Sequence, residues 1–373
     1  MQETTNLWPD SLLDSDSPAG RMFSAALQQA LSSISAASDI AGLQRSATEI
    51  QVLVHQLVEE VQAAEPMTQL ISILNDVLTR RVIEVISTDT PLEGINWCWI
   101  SLGSEGRQEQ TLSSDQDNGI IFTSDRAPDA VRTILLPLAE RINDALDACG
   151  FPLCAGQVMA SNPQWCLSLL EWKERFRNWI IEGDPQALLN ASIFFDLRPL
   201  HGARELAEEL TDWLAQEAST NSRFLFQMAA NALQREVPLG FFGRISVEKE
   251  GKHRGTIDLK LNAATLFIDA ARIYGLACGA HASNTAERFR LAINAHRLHP
   301  NDVERWIKAF YFVQQLRLKN QQQSYCNGLE MHNHVAPAKL SRADRASLID
   351  ALREAKALQH RLVLDYPGSD SIY

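Results

Sequence analysis

The sequence predicts an α+β chain: a small mixed sheet flanked by an N-terminal helical segment and a C-terminal helical bundle. Three observations carry that reading. Apolar residues recur at helical spacing through residues 50–86. Between residues 95 and 160 the period gives way to short apolar runs, rich in β-branched and aromatic residues and closed by glycine, which is the pattern of strands. From residue 162 onward the helical period returns and holds almost to the end. The expected organisation is an acidic helical segment over residues 1–90, a small α/β domain over 91–165, and a helical domain over 166–373 with a hairpin near 244–259.

The N-terminal segment carries much of the charge. Residues 1–65 hold nine acidic and two basic side chains. Residues 1–20, rich in Ser, Asp and Pro, read as a loose lead-in. Ile50, Leu53, Val54, Leu57, Val58 and Val61 form one amphipathic stripe, and Leu70, Ile71, Leu74, Val77, Leu78, Val82 and Ile86 form another, so two or three helices are expected. Residues 95–102, bounded by Gly94 and Gly103, read as a first strand and residues 118–123 as a second. Val131, Ile134, Leu135, Leu138, Ile142 and Leu146 mark a helix over 128–149, with Pro137 inside it and Gly150 as its stop. Residues 153–160 read as a third strand. Beyond them, Asn162-Pro163 and Asp184-Pro185 pair a capping residue with a proline at the first helical turn. Ser341 with Asp344 forms a capping box for a helix running towards Tyr366. The hairpin is expected to pair Ile245–Val247 with Thr256–Leu259 across a polar turn.

Composition excludes several classes. Of 373 residues, 45% are hydrophobic and 21% charged, which is neither disordered nor collagen-like. A net charge of −12 repels a phosphate backbone on average, so general nucleic-acid binding is not expected. No apolar run reaches membrane-spanning length, so no membrane partner is expected. The acidic first 16 residues lack a signal-peptide pattern, which points to a cytoplasmic location. The six cysteines form no C-x-x-C pair and most lie in apolar runs, so reduced, buried thiols are expected.

One stretch carries chemistry. Between the first two strands runs Gly103, Ser104, Glu105, Gly106, Arg107 and on to Asp115, Gln116, Asp117 and Asn118. Gly103 and Gly106 allow a tight turn whose backbone N–H groups approach an anion. Ser104 adds a hydroxyl donor, and Arg107 a planar guanidinium suited to phosphate. Asp115 and Asp117 stand two residues apart, which on a strand places both carboxylates on one face. They repel each other unless a cation lies between them, and Mg²⁺ suits that role. A phosphate cradle followed by paired carboxylates is equipment for phosphoryl or nucleotidyl transfer. Neither a Walker P-loop nor a dinucleotide-binding glycine fingerprint occurs.

The run G-S-x-G-R-x-E-x-T-x-x-S-D-x-D resembles the signature of polymerase-β-type nucleotidyltransferases. It is similar to the N-terminal catalytic domain of bacterial protein-PII uridylyltransferases. It is closer still to a family of bacterial nucleotidyltransferases often joined to cyclic-nucleotide-binding or CBS domains. Further landmarks of that resemblance are residues 156–163, Trp165 and Trp172, residues 195–199 with His201 and Gly202, and residues 257–260, so it covers about residues 50–370. It implies that Gly103 and Ser104 bind triphosphate and that Asp115 and Asp117 bind the divalent metal, Mg²⁺ or Mn²⁺. With Gly106 and Arg107, read above from the chemistry of the turn, the expected nucleotide contacts are Gly103, Ser104, Gly106 and Arg107, and the expected catalytic residues are Asp115, Asp117 and Arg107. The resemblance also implies a helical substrate-binding domain. The activity implied is metal-dependent transfer of a nucleoside monophosphate from an NTP to a hydroxyl on an acceptor protein or small molecule, in a signalling role. The superfamily's third carboxylate has no counterpart in residues 153–160, which hold Gln157 and no acid; Asp196, Asp258 and Glu171 are the possible substitutes. A second reading, a nucleotide- or partner-binding module without turnover, follows from that gap.

Several other residues admit a structural and a functional reading. Trp165, Trp172 and Trp179, with Phe176, recur on one helical face and read as core. Asp196 and Arg198 fit either a cleft wall or an internal ion pair. Asp258 and Lys260 share a face if the hairpin forms, and Lys260 then reaches towards phosphate. His332 and His334 read as ordinary loop residues; His296, His299, Arg80 and Arg81 read as residues at helix ends.

Overall fold

Helical periodicity at the start of the chain resolves into three helices, α1 (Pro18–Ala36), α2 (Ile40–Glu60) and α3 (Ala64–Ser87). The computed structural model describes residues 18–368 except 62, 184, 241 and 242. The lead-in up to residue 17 and the Asp184 cap therefore lie outside the described residues. Asp39 opens α2 by accepting the Gly42 N–H at 2.7 Å. Most of the stripes around Ile50 and Leu74 are buried, with Val58, Val61 and Val77 half-buried.

The mixed sheet follows. β1 (Ile95–Ser101) leads through a single helical turn, α4 (Gly103–Gly106), and a loop into β2 (Asn118–Ser124), which pairs with it antiparallel. α5 (Pro128–Ala148) carries Pro128 at its start, runs through Pro137, and stops before Gly150, whose φ is +95°. After a 3-10 turn at Pro163–Trp165, β3 (Cys166–Ser168) pairs parallel with β2 and passes directly into α6 (Leu169–Glu182). α7 (Pro185–Phe194) precedes β4 (Arg198–Gly202), which adds antiparallel to the free edge of β1 and gives the order β3-β2-β1-β4.

Two sequence expectations are corrected here. Residues 153–160 form no strand: they follow Pro152 and turn at Ala155 and Gly156, after which Gln157 takes φ +56°. The third and fourth strands are β3 and β4, three and five residues long. Both are too short to show a period, and β4 contains Pro199, which lacks a ladder donor and suits only an edge. A register shift between Trp99 and Ile100 bulges the β1–β4 ladder at Leu200. The carbonyl of Leu200 accepts from Arg80 Nε at 2.9 Å. Arg80 thus ties α3 to the bulge rather than merely facing a helix end.

The chain divides into two compact units. The first, Met1–Glu174 with Asp196–Leu210, holds the sheet and α1 to α5. In it α3 packs on α5 and β4. Trp172 lies in its core, stacked on Trp165, and donates its indole N–H to Ile120 O at 2.9 Å.

The second unit, Arg175–Phe195 with Thr211–Tyr373, is helical. The chain re-enters it along α8 (Arg204–Thr220) and continues through α9 (Ser222–Leu233), β5 (Ile257–Asp258), a π-helical turn (Lys260–Ala264), α10 (Thr265–Ala277), α11 (Thr285–Asn294), α12 (Pro300–Cys326), β6 (His334–Val335) and α13 (Arg342–Asp365). α10 is buried on nearly every face and packs against α9, α11 and α13. Ser341 caps α13 by accepting the Asp344 N–H at 3.0 Å, and Asp344 Oδ2 accepts from its hydroxyl.

The hairpin over 244–259 is the third correction. Ile245 bridges Leu239, and across the turn Glu248 N–H donates to Thr256 O while Glu248 O accepts from the Gly255 N–H. Ile257 and Asp258 pair instead with Val335 and His334. A short apolar run specifies a strand but not its partner, and the distant one won.

All six cysteines are free, and Cys98, Cys149, Cys154 and Cys166 are buried. Among the described residues no helix is long and apolar enough to cross a membrane.

Beneath the β1–β2 loop lies a buried amide network. Asn143 on α5 donates to Gln116 Oε1 at 2.7 Å and to Asn118 Oδ1 at 3.1 Å. Gln116 Nε2 reaches the carbonyls of Asn143 and Phe151, and Asn118 Oδ1 accepts the Ala160 N–H. Asn143→Ala would leave several buried polar atoms without partners. It is expected to destabilise the protein by about 2 kcal/mol, read from urea denaturation. A midpoint unchanged within error would contradict this account of the network.

Candidate active site

The site is built where β1 hands over to its loop and the loop hands back to β2. Leu102 N–H donates to Asp117 O at 2.9 Å, so the two ends of the loop close on each other. Gly103 takes φ +53°, and a Cβ there would stand 2.6 Å from Asp117 Oδ2. Only glycine lets the carboxylate of Asp117 lie against this backbone. Ser104 follows, half-buried, and its carbonyl accepts from the Glu109 N–H.

Asp115 and Asp117 precede β2 rather than lying in it. They nevertheless face one way, because Gln116 and Asn118 are drawn the other way into the amide network. The backbone is held on both sides: Gln116 N–H donates to Pro152 O and Asn118 N–H to Val158 O. The carboxylates of Asp115 and Asp117 and the thiol of Cys154 bring their donor atoms within 4.8 Å of one another. Cys154 Sγ lies 3.4 Å from Asp117 Oδ1. Burial, reinforced by the charge of Asp117, pushes the Cys154 thiol up to about 11. Two carboxylates and a sulfur offer donors of the kind that hold a divalent cation, so the residues present fit a metal ion.

Behind this cluster the loop is anchored by buried charge. Arg107 Nε bonds Glu109 Oε2 at 2.8 Å and its Nη1 bonds Asp196 Oδ2 at 2.6 Å. All three side chains are buried. The guanidinium read from sequence as a phosphate ligand is thus engaged with two carboxylates of the protein. Gly106 is required for packing, since a Cβ there would collide with the Asp196 carbonyl. Arg198 donates to Asp76 Oδ1 at 2.8 Å and to Glu105 O at 3.2 Å. Asp196 and Arg198 accordingly belong to the first unit, as internal ion pairs and not as part of a helical wall. Glu105 is buried and accepts from Ser101 Oγ at 2.7 Å. Burial pushes its carboxyl up to about 8.

Of the residues singled out from sequence, the structure brings Gly103, Asp115 and Asp117 together, with Ser104 next to Gly103. Gly106 and Arg107 stand behind them as packing and anchor. Lys260 is exposed in the π-helical turn of the second unit. Of the acids considered as a third carboxylate, Asp196 pairs with Arg107 and Glu171 with Arg132 and Ser168, while Asp258 lies in the second unit, where its Oδ1 accepts the Leu261 N–H. Gln157 is a turn residue whose carbonyl accepts from Trp165 Nε1 and Asn162 Nδ2. Sequence reasoning missed Cys154, Glu105, Gln116 and Asn143. A cysteine in an apolar run reads as core, and isolated amides carry no periodic signal.

A glycine turn abutting paired carboxylates, at the end of a short mixed sheet, is consistent with a nucleotidyltransferase of the polymerase-β type. Comparison with protein families agrees. The family model described as "Putative nucleotidyltransferase DUF294" matches residues 48–186. A second, described as "Putative nucleotidyltransferase substrate binding domain", matches residues 222–366. The chain belongs to this nucleotidyltransferase family and carries both of its parts. Among curated proteins none matches the chain.

Glu105 provides a test of the site's electrostatics. Its native carboxyl keeps a proton between about pH 4.5 and 8, where the unfolded chain has released it. The unfolded state then binds fewer protons, so stability falls as pH rises through that window. Glu105→Gln carries no charge at any pH. Its stability relative to the wild type should grow across the window and level off above it, as read from urea midpoints. Parallel profiles for the two proteins would show that Glu105 ionises normally.

Proposed function

We propose that the protein transfers a nucleoside monophosphate from an NTP to an acceptor hydroxyl and releases pyrophosphate. The convergence of Asp115 and Asp117 beside Gly103 is the observation that carries this reading. In the proposal the two aspartates hold a divalent cation, Mg²⁺ or Mn²⁺. When bound, it neutralises charge on the phosphate under attack and on the departing pyrophosphate. Gly103 and Ser104 receive the triphosphate through backbone and hydroxyl donors. Arg107 acts as a positioning residue that fixes the loop through Glu109 and Asp196. Lys260, an exposed cation of the second unit, is a candidate contact for substrate phosphate. The substrate-binding part supplies the acceptor. By resemblance to the uridylyltransferases, that acceptor is a hydroxyl on a partner protein, with a small molecule as the other option, and the setting is cytoplasmic signalling in bacteria.

A second reading is a nucleotide- or partner-binding module without turnover. The engagement of Asp196 and Glu171 in ion pairs favours it, since neither is free to act as a third carboxylate.

The two readings separate by experiment. Wild-type protein with Mg²⁺ or Mn²⁺ is expected to release pyrophosphate from one of the four NTPs and to melt at a higher temperature in its presence. Asp115→Asn with Asp117→Asn removes charge but little volume. The double variant should fold at least as stably without metal, and lose both the nucleotide-dependent shift and turnover. A shift without pyrophosphate release, in the presence of cell extract as a source of acceptor, would favour the binding module. No shift with any NTP would refute both.

A further inference from the structure

The carboxylate pair has a third neighbour that the sequence motif does not contain. Cys154 projects its sulfur onto Asp117 at 3.4 Å, and the donor atoms of Asp115, Asp117 and Cys154 fall within the span of a single ion. We propose that Cys154 is a metal ligand of this centre, and that the centre is a mixed oxygen–sulfur site that binds Co²⁺ or Zn²⁺ more tightly than the harder Mg²⁺ or Mn²⁺. The proposal rests on the reading of Asp115 and Asp117 as metal ligands and adds a sulfur to their donor set.

Three features support it beyond proximity. First, the sulfur is held in place. The Cys154 carbonyl accepts the Gln157 N–H at 2.9 Å, and the Gln157 carbonyl is fixed by Trp165 Nε1 at 2.9 Å and by Asn162 Nδ2 at 3.0 Å. Second, the segment bearing the thiol and the segment bearing the carboxylates are bonded to each other on both flanks, Gln116 to Pro152 and Asn118 to Val158. The spacing of the three donors is thus set by the backbone, not by side-chain chance. Third, the donor set has a definite chemical preference. Mg²⁺ keeps oxygen ligands and water and gains nothing from a thiolate, whereas later first-row ions bind sulfur well. On binding, the Cys154 S–H bond breaks, its proton passes to solvent, and the thiolate bonds to the ion; nothing is oxidised or reduced.

Cobalt reads out sulfur ligation directly. The whole 373-residue chain carrying Cys326→Ser, which removes the exposed thiol, would be titrated with Co²⁺ without nucleotide. The expected result is a saturable sulfur-to-cobalt charge-transfer band in the near ultraviolet. Cys154→Ser should abolish the band and weaken Co²⁺ binding by roughly 10- to 100-fold or more, the range seen even for loss of an outer-shell partner. Asp115→Asn with Asp117→Asn should abolish the band as well. Zinc-edge absorption of the unsubstituted protein should show one sulfur at about 2.3 Å, and this reading needs no variant to fold. Cobalt binding without the band, a band that survives either set of substitutions, no cobalt binding, or a zinc shell without sulfur would each overturn the proposal. The wider functional reading fails separately. If Mg-NTP or Mn-NTP still raises the melting temperature through Asp115 and Asp117, that reading stands although sulfur ligation is refuted. If the band appears but no metal–NTP combination shifts the melt, sulfur ligation stands and nucleotide transfer does not.

Discussion

The first unit depends on one buried cation. Arg107 lies in the core with its guanidinium bonded to Glu109 and to Asp196, which is 89 residues away in sequence. A buried guanidinium without its partners costs several kcal/mol, so the loop after β1 folds inward only when Asp196, two residues before β4, is in place. The same constraint accounts for the neighbouring charges. Arg198, two residues beyond Asp196, reaches back to Asp76 on α3 and to the Glu105 carbonyl. Gly106 is small because the Asp196 backbone occupies the space a side chain would need. The loop that carries the proposed chemistry is thereby fastened to an edge strand and a helix, not left to its own local preferences.

The second constraint is alternation. Asp115 and Asp117 repel each other, and no local gain explains why they share a face. Gln116 and Asn118 supply the explanation: each is buried, bonded to Asn143, and points away from the carboxylates. The energy that turns two acids towards one point comes from amide hydrogen bonds on the opposite side of the chain. Such preorganisation lets a site meet a cation and a triphosphate without reorganising at the moment of reaction.

The fold was largely legible because its long elements are strongly periodic. The stripes at Ile50 and Leu74, the apolar run at Ile95 and the Gly150 stop each appear in the structure where the pattern places them. The short elements were not legible. β3 has three residues and β4 includes Pro199, so neither shows a period, while residues 153–160 are apolar enough to resemble a strand but turn at Ala155 and Gly156. At the site, Gly103, Asp115 and Asp117 could be read because their residue types and spacing have a chemical reason. Arg107 misled for the same reason: a guanidinium beside glycines reads as a phosphate ligand, and only the fold brings Asp196 to it. Cys154 was invisible because its meaning comes from a neighbour 37 residues earlier.

In this arrangement the protein itself holds the carboxylates in position before any ligand arrives. Amide hydrogen exchange of the metal-free, nucleotide-free protein reads that out. The N–H groups of Gln116 and Asn118, bonded to Pro152 and Val158, should exchange as slowly as those of the paired β1 and β2 residues. Exchange as fast as that of the exposed residues 249–252 would show that the site forms only when its ligands bind.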